Sequence, residues 1–132
     1  MPFVAIVTVL ALLQFFYLSF QVARARGKYG VAAPATTGNE VFERHFRVQM
    51  NTQEQLILFL PALWIFGSYV SPLWAAALGV VFMLGRAIYA NAYVKDPKSR
   101  SLGFALTILP SFAMMIGILV WAIRAILIGA AA

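Results

Sequence analysis

The 132-residue sequence contains no cysteine, which excludes disulfides, thiolate metal sites and a protein-borne thiol nucleophile. Its single histidine, His45, gives no basis for a histidine-rich metal site, and no metal is expected. Acidic residues number only four, and charged residues make up 11% of the chain. That is too few to cover a soluble domain of this size, whereas 63% of the residues are hydrophobic. The solvent for most of the surface is therefore the bilayer. The length suits one compact unit, and residues 1–132 read as a single domain. The net charge of +6 does not point to nucleic acid. The basic residues sit beside apolar runs, where topology and anionic ligands or lipids account for them.

A helix crosses the hydrocarbon core in about 20 residues. Met1 to Ala23 is uncharged and fits one span, ending at Arg24, Arg26 and Lys28. The run lacks a basic start and is too long for a cleaved signal. Gln55 to Gly85 is uncharged again, interrupted by the turn residues of "GSYVSP". The pattern predicts helix 2 over 39–67, helix 3 over 72–94 and helix 4 over 101–123. Asp96 followed by Pro97 reads as an N-cap with proline at the first helical position, which places Arg100 in the first turn of helix 4. The expected fold is an all-α membrane protein, a bundle of four transmembrane helices. Nine of the ten Lys and Arg residues lie in or beside the helix 1–2 and 3–4 connections. The positive-inside rule puts those connections in the cytoplasm and both termini outside.

Polar residues fall on faces. At about 100° per residue, and with Arg44 as zero, Arg47 lies near 300°, Asn51 near 340° and Glu54 near 280°. Gln49, near 140°, lies on the other side, so the two faces of helix 2 do not serve one site within one subunit. They suit equivalent sites between subunits about a symmetry axis. On helix 3, Arg86, Tyr89 and Tyr93 share a face, and Arg100 follows across the turn. Each arginine alone also suits snorkelling to lipid phosphates or a structural bridge, such as Arg86 with Glu54. Each tyrosine alone suits the interfacial belt. Together, the stripes outline a cavity for an anion with one cationic group. Guanidiniums take carboxylates in forked pairs, Glu54 takes an ammonium, and Asn51 and Gln49 read amides. A peptide with two carboxylates and one ammonium matches that inventory.

The stretches "GNEVFERHFRVQMN" and "GRAIYANAYVKDPKSRS", with the four-span layout, resemble the membrane-associated proteins in eicosanoid and glutathione metabolism, the MAPEG family. The resemblance implies a homotrimer with glutathione as co-substrate between neighbouring subunits. By position, Arg47, Asn51, Glu54, Tyr89, Tyr93 and Arg100 would come from one subunit, and Arg26 and Gln49 from its neighbour. Arg44 and Arg86 match family arginines and read as supports, with Arg86 holding Glu54. His45 and Thr52 stand where valine and cysteine are usual, and read as neutral changes. Gln55 and Gly27 stand where leukotriene-forming members have tyrosine and arginine. These two changes favour a broader glutathione transferase.

The expected chemistry follows from thiol acidity. A free thiol with a pKa near 8.5 is only a few per cent thiolate at neutral pH. Arg100, at a helix start where free N–H groups favour an anion, is the expected catalytic residue. Tyr93 and Ser101 are its candidate helpers. The second substrate would be a hydrophobic electrophile arriving from the membrane lipids, with lipid hydroperoxide reduction as a side activity. Two other classes remain open, a non-catalytic lipid-binding scaffold and a small transporter. The compact helix 1–2 loop suggests a bacterial inner membrane, with the glutathione site near the cytoplasmic face.

Overall fold

The computed structural model describes residues 1–129. Four long helices form a bundle: α1 (Pro2–Tyr29), α2 (Glu40–Tyr69), α3 (Pro72–Lys95) and α4 (Ser101–Leu127). A single 3-10 turn, Pro97–Ser99, lies between α3 and α4. α2 and α3 are central, since each packs against every other helix. Among the described residues, α1, α3 and α4 are long and apolar enough to cross a membrane. α2 carries the charged stripe along its first half and an apolar second half.

The helices outrun the apolar runs that announce them. The 28 residues of α1 measure about 42 Å along the axis, against about 30 Å of hydrocarbon. α1 therefore continues past Ala23, through Arg24, Arg26 and Lys28, until Gly30 ends it at φ 68°, donating its N–H to the Arg26 carbonyl. α2 starts where the Asn39 side chain accepts from the Phe42 N–H at 3.0 Å. α3 starts where Ser71 accepts from the Trp74 N–H at 3.2 Å, with Pro72 as its first residue.

The α3–α4 connection corrects one expectation. Asp96 caps the 3-10 turn, accepting from the Lys98 N–H at 3.1 Å, and not α4 itself. Arg100 is the N-cap residue of α4 and lies just ahead of its first turn. The reason is local. The Ser99 hydroxyl folds back onto the carbonyls of Asp96 and Ala92, at 2.7 and 3.1 Å. The turn thus closes on the end of α3 before α4 begins.

The core has two parts. Away from the basic end, Phe59 and Phe82 stack with ring centroids 3.8 Å apart, surrounded by Val4, Leu63, Ala75 and Met114. At the basic end, Val22, Ala25, Val31 and Phe42 form a smaller cluster. α3 and α4 approach closely at two glycines. A Cβ on Gly103 would overlap the Tyr89 backbone, and one on Gly85 would lie 2.7 Å from the Leu106 carbonyl carbon. This seam fixes the height of Tyr89 relative to the start of α4.

Candidate functional site

The first half of α2 holds its polar residues in three directions. Outward, Arg47 pairs with Glu54 two turns later at 3.5 Å, and both side chains are more than half exposed. An exposed pair of this length contributes little to stability. Both groups are therefore free to exchange partners. Arg47 faces a cavity of about 390 Å³ that also takes in Arg44, Glu40 and Glu43 of α2, Tyr93 of α3, and Pro97. Arg100 is exposed beside this cavity and donates to the Pro97 carbonyl at 2.8 Å. Arg47, Tyr93 and the turn held by Arg100 thus meet at one place, although they lie far apart in sequence.

Inward, the arrangement differs from the expected Arg86–Glu54 bridge. Arg86 is fully buried, and its Nη2 donates to Asn51 Oδ1 and Thr52 Oγ1, both at 2.8 Å. Its Nη1 reaches Thr107 Oγ1 on α4 at 3.3 Å. The guanidinium carbon lies 4.4 Å from the centre of the Tyr89 ring. Glu54 points outward to Arg47, so Arg86 is held by neutral oxygens and an aromatic face. The Thr52 hydroxyl is one of the groups that hold this buried cation. Tyr89 is buried, not placed in an interfacial belt, and it stacks on Tyr93 with centroids 5.5 Å apart.

Towards α1, Gln49 donates to Ser19 Oγ at 3.0 Å. Arg26 donates to the Ala35 carbonyl at 2.6 Å and stacks over Phe42 at 4.8 Å. Neither reaches the Arg47–Tyr93 cavity within one chain. Arg44 pairs with Glu40 at 2.6 Å and donates to the carbonyls of Val94 and Lys95 at 3.1 and 3.2 Å. It thereby satisfies the open end of α3.

The sequence reading missed Thr107 and Ser19. Thr107 and Ser111 are one turn apart on α4, both buried, within an otherwise apolar span. Of the two, Thr107 meets a polar partner, Arg86, and Ser111 does not. Ser19 carries no comparable signal. A second, wholly apolar groove of about 430 Å³ runs between α2 and α4, along Ile57, Pro61, Ile65, Met115 and Ile118.

The model of the MAPEG family matches residues 4–120. An uncharacterized protein of Synechocystis sp. is 50% identical over 123 residues, covering 91% of this chain and 90% of its own. Microsomal glutathione S-transferase 2 of Homo sapiens is 40% identical over 104 residues, covering 79% and 71%. Leukotriene C4 synthase of Cavia porcellus is 41% identical over 96 residues, covering 73% and 64%. With the family match spanning most of the four-helix bundle, and relatives of this identity along it, the chain belongs to the MAPEG family.

Proposed function

We propose that the protein is a membrane glutathione transferase that activates glutathione as a thiolate for conjugation to apolar electrophiles. The observation that carries this reading is the meeting of Arg47, Tyr93 and the Arg100 turn at one cavity at the basic end of the bundle. Family membership and the names of the relatives, a glutathione S-transferase and a leukotriene C4 synthase, support the same substrate class.

Arg47 takes a carboxylate of glutathione and Glu54 its ammonium, each leaving the weak pair they form with one another. Tyr93 lines the wall, with Tyr89 stacked behind it and Asn51 further in, bound to Arg86. Arg26 and Gln49 face away from this cavity in their own subunit, so they complete the site of a neighbour in a homotrimer. Arg100 stabilises the thiolate. Holding the thiol mostly ionised near neutral pH asks for a shift of about 1.5–2 units, or about 2–3 kcal/mol, within the reach of one well-placed guanidinium. The sulfur lone pair then forms a carbon–sulfur bond to the electrophile. The displaced electron pair leaves with a halide or is quenched by a proton. The apolar groove between α2 and α4 suits a substrate that partitions from lipid. The membrane is a bacterial inner membrane, with the basic end towards the cytoplasm.

The test is a glutathione titration of the detergent-solubilised protein near neutral pH, following thiolate absorbance and proton release. Thiolate formed in proportion to protein, and lost in Arg100→Ala, is the expected result. Binding without thiolate in the wild type overturns the transferase reading in favour of a non-catalytic peptide- or lipid-binding protein.

A further inference from the structure

Arg86 is the least explained charge in the molecule. It is fully buried in the C-terminal half of α3, and its hydrogen bonds all go to neutral oxygens. A desolvated cation without a carboxylate is costly, and buried charged networks replaced as a unit by apolar residues often lose no stability. Packing alone therefore does not account for it. Its Nε has no partner, and neither do two other buried polar atoms one turn away from its threonines, Gln55 Oε1 and Ser111 Oγ.

What Arg86 does to its neighbours is specific. A guanidinium has only donors, so the Asn51 atom that meets it must be the carbonyl oxygen. The Asn51 amide is thereby fixed in one of its two flips. Its NH2 group is left as the only part that can address a ligand, and it can only donate. The same guanidinium lies against the Tyr89 face and reaches α4 through Thr107. One side chain thus sets the register of α2, α3 and α4 at the level of the proposed site.

We infer that Arg86 is a positioning residue for glutathione binding: it holds Asn51 as an obligate donor and Tyr89 in place, without touching the substrate itself. The inference rests on the proposed function and deepens it. Thr52, on the next residue of α2, shares the same Nη2 and secures the arrangement.

The geometry also supplies a way to separate this role from a merely structural one. The hydroxyls of Thr52 and Thr107 each donate to a carbonyl of their own helix, Val48 and Gly103, both at 2.8 Å. Removing Arg86 therefore leaves neither hydroxyl without a bond. Arg86→Met orphans one acceptor, Asn51 Oδ1, and removes one desolvated charge, so it should melt close to the wild-type temperature in detergent. Its KM for glutathione should rise about tenfold as the Asn51 amide becomes free to turn. The change in kcat should be much smaller, and Arg86→Lys should fall between the two. If Arg86→Met fails to fold, Thr52→Val decides. It should raise the glutathione KM about threefold, with a modest fall in melting temperature from the lost Arg86–Thr52 bond.

An unchanged KM in a folded Arg86→Met, or in Thr52→Val where the former does not fold, overturns the proposal. So does a KM that rises only in step with a falling melting temperature. A wild-type protein that binds no glutathione overturns the proposed function first, and is read on that sample alone.

Discussion

The two ends of the bundle are held together by different physics. At the basic end, direction matters: Arg86 bridges three helices through 2.8–3.3 Å hydrogen bonds, and Arg44 closes the last carbonyls of α3. At the other end, shape matters: Phe59 lies flat on Phe82, and Val7 fills the space left by Gly79. The polar contacts there are few and peripheral, such as Trp64 Nε1 to Thr8 Oγ1 at 2.9 Å. Lipid tails are as apolar as leucine, so burial in a membrane protein gives little preference for one apolar contact over another. The apolar end fixes how closely helices approach. The polar end fixes which residues stand at the same height, and that is what a binding site requires.

The largest expected effect falls at the polar end. Arg100→Ala should lower turnover by about 30- to 150-fold, the equivalent of the 2–3 kcal/mol assigned to thiolate stabilisation. Much of the glutathione binding should remain, and steady-state kinetics beside the binding isotherm checks both. At the apolar end, Phe82→Ala should cost about 2–3 kcal/mol, read as a lower unfolding midpoint in detergent. The void beside Phe59 is lost contact, but the unfolded side chain regains lipid, which keeps the cost below that in a soluble core. Retained turnover below the midpoint of this variant would sharpen the division between the two ends.

A smaller effect is expected from Arg47→Ala, about a tenfold loss of glutathione affinity by equilibrium titration with little change in the unfolding midpoint. Unchanged affinity removes Arg47 as the carboxylate clamp. Smallest is Ser111→Ala. The hydroxyl is buried without a partner, so its removal should be neutral or stabilising by up to about 1 kcal/mol. A clear loss of stability would show that Ser111 holds a partner of its own.

The number of helices was legible because uncharged runs of about 20 residues have few other meanings. Their ends were less legible. Apolar content marks where the chain leaves hydrocarbon, while the helix stops at its cap, as at Gly30 after Lys28. Faces were legible too: Gln49 does turn away from Arg47, towards Ser19. Partners were not. A helical wheel gives the direction of Arg86 and Glu54 but not their depth, and depth places Arg86 beside Asn51 and Thr52. The α4 side of that contact was written in Thr107, a hydroxyl that an apolar average conceals.

The buried guanidinium also bears on how the protein is made. Arginine at the centre of a lone span costs about 2.5–3.5 kcal/mol on insertion scales. α2 is synthesised first and brings Asn51 and Thr52, joined to α3 by the short Val70–Ser71 turn. Thr107 arrives only with α4. A translocon would therefore receive α3 most readily as a hairpin with α2, and α4 would dock last along the glycine seam. A glycosylation-reporter assay should show the α2–α3 hairpin inserting more fully than α3 alone, and equal insertion of the two would mean that α3 carries its arginine into the membrane unaided.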